Sequence, residues 1–503
     1  MSEFQALLDK CKSWRAAGFH QAIVDSITKI DNYQYDKDLS LALAGAYNEM
    51  PNHELNAERA IRLLLPHAEA MYQDPEWNYQ IALCYLYLDR PQRALAHGVR
   101  VLEKDENFPK IQDLMEKAVG GVQAVFTDRN FSDRVDAFWK AFEGQLDALD
   151  KLVKDFDAKP DRLIDAVTAL LQPAIKGLQF GITIEDNKPN LILAINDLTD
   201  AFKVWRLTFK VPEAVQGRWV IHAGHPATDS GEVSVGGLTP DDVTVWIDEA
   251  ESNNAFLAIK VYSDKVAALV AEKGKDLAQR DVAGLITLLL GDVTRLRYLY
   301  SLSIEEKRPE GEGFSLTTLP DVLAKRGAEL SGDLNAMLNE KMGYQLKANT
   351  EDERLRADVS HGITQHARLI SEWYEETPYT FDRFFDDGVS AAMIVLDLPE
   401  GEKTDDPGKR LDFAAKVAGH LINLLGDEHI RVTGLASGLK HVYIDCLCWH
   451  YLRVKAASKV VAEGLHCPAA LFQLLDNRFP ADDLLAWNPD DSNEGAEGEE
   501  GQA

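Results

Sequence analysis

The chain has 503 residues, 46% apolar and 9% aromatic, enough for several hydrophobic cores, so about two to four domains are expected. Its 82 acidic and 53 basic residues leave a formal charge of −29, and no Lys/Arg cluster interrupts that surface, which argues against nucleic acid and anionic membrane as partners. The start has no basic-then-apolar signal pattern, no run of about 18 apolar residues occurs, and Cys11, Cys84, Cys446, Cys448 and Cys467 are too scattered for a disulfide framework, so a cytoplasmic protein is expected.

Residues 1–125 read as all-helical, with apolar positions at helical spacing and no alternating run. Within them the segment Asp74 to Asn107 carries a regular pattern. Ile81, Ala82 and Tyr85 fall in a first helix. Ala94 and Leu95 open a second, Val101 takes its late apolar position, and Asp105-Glu106-Asn107 forms the exit. Ala60-Ile61 lies 34 residues before Ala94-Leu95, preceded by Leu43-Ala44 and Tyr47; Ala22-Ile23 lies 38 residues earlier still, behind Trp14 and Gly18. Small residues recurring at such a period mark places where helices cross closely in a stacked array. On these residues the first quarter of the chain resembles a tetratricopeptide repeat (TPR) array of three copies, capped by a helix near Ile111 to Val125. The chain as a whole is similar to bacterial TPR proteins that carry further α/β modules.

That resemblance implies a groove lined by the first helix of each repeat. The matching positions are Glu76, Tyr79, Leu83, Leu86 and Tyr87, with Leu41, Gly45, Asn48 and Glu49 from the preceding copy. Chaperone-binding members of the family hold a C-terminal carboxylate with a Lys, Asn and Arg clamp. Tyr79 and Leu83 occupy the places of Lys and Asn here. An apolar helix or extended peptide is the expected ligand instead. The competing expectation is that this face packs on the chain's own α/β region or on a second copy, giving a homo-oligomer.

Residues 126–305 read as an α+β module. Helices are expected from Arg134 to Leu178, broken near Pro160 and Pro173. Phe180–Ile184 and Leu191–Ile195 then flank a polar turn, Glu185 to Asn190, containing Asn187 and Pro189. Strands are expected at 218–221, 243–247, 256–262 and 296–304, with a helix near 281–290, in a mostly antiparallel arrangement. Residues 305–314, EEKRPEGEGF, read as a linker or exposed loop.

A second α/β module is expected over 315–480, with strands at 391–398, 430–433 and 441–449 and a helix at 411–425. The order strand, loop, helix, strand occurs in both halves, a hint of two related modules. From Ala481 onward there are eight acidic residues and no Lys or Arg, so 481–503 read as an acidic disordered tail. The fold class is therefore multidomain α and α+β, with a helical array followed by one or two modules of largely antiparallel sheets.

No catalytic, cofactor or metal constellation emerges. His222 and His225, with Asp229, stand at a strand end beside a Gly/Pro turn and lack a third ligand by spacing. Cys446, Cys448 and His450 alternate onto one face of a strand, with His466-Cys467 nearby, but Cys-x-Cys in an apolar strand is better explained by burial than by zinc. His361 and His366 are expected to begin a helix without an HExxH pattern. Val235-Gly236-Gly237-Leu238 lacks the remaining elements of a phosphate cradle, and Gly434 to Gly438, reading G-x-x-S-G, is expected to shape a turn rather than a nucleophile elbow. An interaction or scaffold protein with no cofactor is the expectation. A toxin-neutralising or defence-associated protein that presents its acidic surface to a basic partner is the alternative, and a hydrolase or metal enzyme in the second half is a third.

Overall fold

The computed structural model describes residues 4–185, 188–252 and 256–486. Asn187 of the expected turn and positions 487–503 of the acidic tail lie outside the described residues. The chain begins as antiparallel helix pairs: α1 (Gln5–Ala16) with α2 (His20–Ile27), α3 (Lys37–Asn48) with α4 (His53–Leu64), and, after the single turn α5 (Ala68–Met71), α6 (Pro75–Tyr87) with α7 (Pro91–Lys104). Their starts are chemically marked. Asp36 and Asp74 accept hydrogen bonds from Leu39 N and Trp77 N (both 2.9 Å), and Pro75 and Pro91 stand at first-turn positions, where a missing N–H costs nothing.

Ala44, Ala57, Ala60, Ala82, Ala94 and Ala118 are buried between these helices. Gly98 lets α7 cross close to α8 (Ile111–Thr127), where Met115 Sδ fills the space a Cβ would take. Trp77, fully buried, donates its indole N–H to Leu64 O (3.1 Å) and ties one pair to the next.

Two longer helices follow, α9 (Phe131–Lys154) and α10 (Pro160–Leu171), then β1 (Phe180–Glu185) and β2 (Lys188–Leu193), which form the expected antiparallel hairpin. Next come α11 (Leu198–Thr208), the turn α12 (Glu213–Gln216) and β3 (Val220–Ala223), which pairs parallel with β2. Asp292 anchors this three-stranded sheet: its Oδ2 accepts from Ile195 N (3.0 Å) and His225 N (2.9 Å).

Residues 233–328 share a separate hydrophobic core. It contains β4 (Thr244–Ile247), β5 (Leu257–Tyr262), α13 (Asp264–Lys273), α14 (Lys275–Leu290), α15 (Asp292–Tyr298), β6 (Leu299–Ile304), β7 (Phe314–Ser315) and α16 (Leu319–Lys325). The sheet order is β6-β5-β4-β7, and β5 and β6 run parallel. One expectation changes here: residues 296–298 close a helix rather than open a strand. The charged stretch 305–313 is the exposed loop of the two expected alternatives and not a linker between modules, because Phe314 and Ser315 pair with Val245 and Thr244 of the same sheet.

The last part holds α17 (Leu334–Leu338), β8 (Met342–Gln345), β9 (Val359–Thr364), α18 (Ala367–Glu375), α19 (Tyr379–Phe385), β10 (Ser390–Leu396), α20 (Pro407–Leu425), β11 (Ile430–Gly438), β12 (Val442–Cys448), α21 (Tyr451–Gly464), β13 (Ala470–Leu474) and β14 (Asp482–Asp483). A seven-stranded, wholly antiparallel sheet results, ordered β14-β13-β10-β12-β11-β9-β8. Its topology differs from the β5–β6 crossover, so the shared element order does not reflect a shared sheet.

Two sequence expectations are corrected in this sheet. Gly434–Gly438 is strand, not turn: Cβ atoms at Gly434 and Gly438 would collide with the carboxylates of Asp445 and Asp358, which fill the space those glycines leave. His361 lies within β9 rather than at a helix start. The core of this sheet is continuous with α9, α10 and the β1–β3 sheet, so side chains far apart in sequence share one interior.

The helical array docks on this interior through α7 and α8. Gln92 Nε2 and Arg93 Nη2 of α7 reach Asp386 (2.7 and 2.9 Å). Phe126 of α8 stacks on Tyr451 and meets Phe385 edge-on. Gly388, at φ +83°, lets Phe131 N donate to its carbonyl (2.9 Å).

Candidate functional site

With α7 and α8 turned to the rest of the chain, the first helices of the array, α3 and α6, meet α8 around a concavity of about 510 Å³. Six of the expected groove residues line it: Asn48, Glu49, Tyr79, Leu83, Leu86 and Tyr87. Leu83, Leu86 and Tyr87 are partly exposed, while Tyr79 is buried against Phe108 with ring centroids 5.1 Å apart. Burial, with Glu49 and Glu76 adding to it, pushes the Tyr79 phenol up to about 12, so it is neutral at physiological pH. Tyr87 stacks on His53 at 4.3 Å, which fixes its ring as one wall.

The other three expected residues, Glu76, Gly45 and Leu41, do not line it. Glu76 is held by Arg15 (2.8 Å), which also approaches Glu49 (4.0 Å); a Cβ at Gly45 would touch that guanidinium at 3.2 Å. Leu41 packs against the core of the array. Asn48 lines the concavity, but its polar atoms are consumed inside. Its Nδ2 donates to Gln80 O (3.1 Å) and Oε1 (2.9 Å), and its Oδ1 accepts from the Cys84 thiol (3.3 Å). It locks α3 to α6.

Sequence reasoning missed the contribution of α8 and the turn before it: Lys110, Asp113, Leu114, Lys117 and Gly121 complete the lining. The rim charges are largely paired, Lys117 with Asp113 (2.9 Å) and Lys110 with Glu49 (3.6 Å). The interior is aromatic and aliphatic and the edge is charged, the composition of a surface that takes apolar side chains and excludes water around them.

The candidate chemistries of the sequence are dispersed. His222 Nε2 pairs with Asn190 (3.1 Å), the His225 N–H is bound to Asp292, and Asp229 accepts from Gly231 N (2.9 Å). Cys446 and Cys448 do share a face of β12, with sulfurs 3.7 Å apart, but both are fully buried, and burial raises the Cys448 thiol well above its usual range. His450 stands against His429, ring centroids 6.1 Å apart. Among the described residues no group of three or more His, Cys, Asp or Glu side chains is placed to hold a metal ion. Val235 and Leu238 close a tight turn on each other, with Gly236 and Gly237 at positive φ. Ser437 is buried in mid-strand. Among the described residues no helix is long and apolar enough to cross a membrane.

Comparison with protein-family models, with curated proteins and with solved structures gives no match for this chain.

Proposed function

We propose that this chain is a TPR-type protein-binding or scaffold protein whose helical array takes an apolar helix or extended segment of a partner along α3, α6 and α8. The observation that carries the reading is the way the array is docked. Its last second helix, α7, and its end, α8, are spent on the rest of the chain through Gln92, Arg93 and Phe126, while Leu83, Leu86 and Tyr87 remain partly exposed around one concavity. Apolar anchors in a preformed hollow surrounded by charge provide affinity with little ordering cost.

Partner capture by the full chain tests this. Leu83→Glu places an unpaired carboxylate on the concave surface, where its desolvation opposes an apolar ligand. The reading predicts that proteins retained by the wild type are lost with Leu83→Glu and kept with Val99→Glu on the exposed side of α7. A retained set that is the same for wild type and Leu83→Glu sinks it.

A further inference from the structure

A second hollow, of about 690 Å³, lies in the C-terminal half. It forms because β9 pairs with β11 only from Gly434 onward; beyond Thr364 only Gln365 N still reaches β11, donating to Thr433 O (2.6 Å). The edge of β11 at Arg431–Thr433 is thereby left open between α11 and α17 on one side and α20 on the other. Trp205, Phe209, Ile363, Ala418 and Ile422 supply apolar walls.

Arg431 is the unusual group in this hollow. It is 7% exposed, its guanidinium stacks on the Trp205 ring at 4.4 Å, and its Nη2 donates to Leu338 O (3.3 Å) and Asn339 Oδ1 (2.9 Å). Among the described residues it has no carboxylate partner within ion-pair distance. Asp427, which also lines the hollow, acts on it only from farther away. Of the other buried arginines, Arg356 faces Asp445 directly, whereas Arg206 and Arg410, like Arg431, give their N–H groups to backbone carbonyl and other uncharged oxygens; Arg431 is the one that lines this hollow. A buried cation without a counter-ion is costly to keep; among the described residues the Nε and Nη1 groups of Arg431 have no hydrogen-bond acceptor, and neither is sealed from solvent. Thr433 adds a hydroxyl donor to the lining; Gln365 Oε1, buried without a partner, is an acceptor and suits a donor elsewhere on a ligand, not its anionic group.

The geometry points to a binding site for a small organic carboxylate, its anionic group on Arg431 and its apolar body against Trp205, Ala418 and Ile422. The volume is that of a small-molecule site, and an apolar hollow with a few convergent polar groups is the usual form of one. Arginine is the side chain suited to such an anion, being permanently charged and weakly hydrated.

Calorimetric titration of the full chain with octanoate and 4-phenylbutyrate, each against its neutral amide, tests the proposal. Saturable binding of a carboxylate is expected, weaker by about tenfold or more for its amide. Two variants act independently. Arg431→Met keeps the stem over Trp205 and removes the charge. Gly419→Leu fills the hollow from α20, where a Cβ meets nothing within 4 Å. Both are expected to abolish binding, and Gly419→Leu to do so with unchanged circular dichroism and melting temperature. The proposal is overturned by absent saturable binding of either carboxylate, by equal binding of the amides, or by binding that survives Gly419→Leu.

Discussion

Burial of His366 makes the fold acid-sensitive. Its ring is 3% exposed, stacked on Phe202 at 5.9 Å and edge-on to Phe384 at 5.7 Å. Its Nδ1 accepts from Leu369 N (3.4 Å) at the start of α18, and its Nε2 is buried without a partner. Burial, opposed by Asp197 and reinforced by Arg368 and Arg383, lowers the imidazole from 6.5 to about 4. The unfolded chain therefore binds a proton near pH 6.5 that the folded chain refuses until about pH 4. Stability contributed by the neutral ring is complete above 6.5 and falls as the pH drops through that interval. At about 1.4 kcal/mol per unit, the loss approaches about 3 kcal/mol. His97, lowered to about 3 by burial beside Arg100, Arg478 and Arg93, acts in the same direction, so the informative quantity is a difference between proteins. His366→Asn keeps an acceptor for Leu369 N and does not titrate. Urea unfolding between about pH 7 and about pH 4.5 should show wild type losing stability more steeply than His366→Asn, by about 2 to 3 kcal/mol across the range. Parallel loss in the two proteins would refute the argument.

Three further outcomes follow from packing. Gly388→Ala puts a Cβ 2.4 Å from Arg129 O at a φ of +83°, and should cost about 1 to 3 kcal/mol, seen as a lower urea midpoint and as faster hydrogen exchange where α8 joins α9. Asp445→Asn leaves the fully buried Arg356 without the carboxylate it meets at 2.5 Å, so a loss of about 3 to 5 kcal/mol is expected; a change under about 1 kcal/mol would show the charge is solvated elsewhere. Trp77→Ala empties a fully buried site and orphans Leu64 O, which should cost about 3 to 5 kcal/mol and raise exchange first in α4 and α6.

The helical array was legible because its signal is local: alanines at helix crossings, Asp caps and Pro at first-turn positions all lie within one repeat length. The first-helix residues that line the concavity stand at regular helical positions for the same reason. The other wall of the concavity was not legible, because Asp113 and Lys117 of α8 and Lys110 before it lie outside the segments that carry the 34-residue spacing, and their place depends on how α8 closes the stack. Strand β11 was half read. Its glycines look like turn residues, yet they make room for Asp445 and Asp358, which belong to another strand and a preceding loop. Such a requirement leaves no local pattern. The boundary at 305–314 failed similarly, since β7 is two residues long and owes its pairing entirely to β4. The hollow beside Arg431 was invisible because a lone arginine in a strand announces neither its burial nor the absence of a counter-ion.

Site-specific photocrosslinking tests the central claim most directly. A benzophenone side chain replaces Leu83 in the concavity or, as control, Val99, which is 42% exposed on α7. The account predicts a covalent adduct with a second protein from position 83, absent from position 99 and lost when Leu86→Glu is added. Equal adducts at both positions, or only intramolecular adducts at position 83, would contradict it.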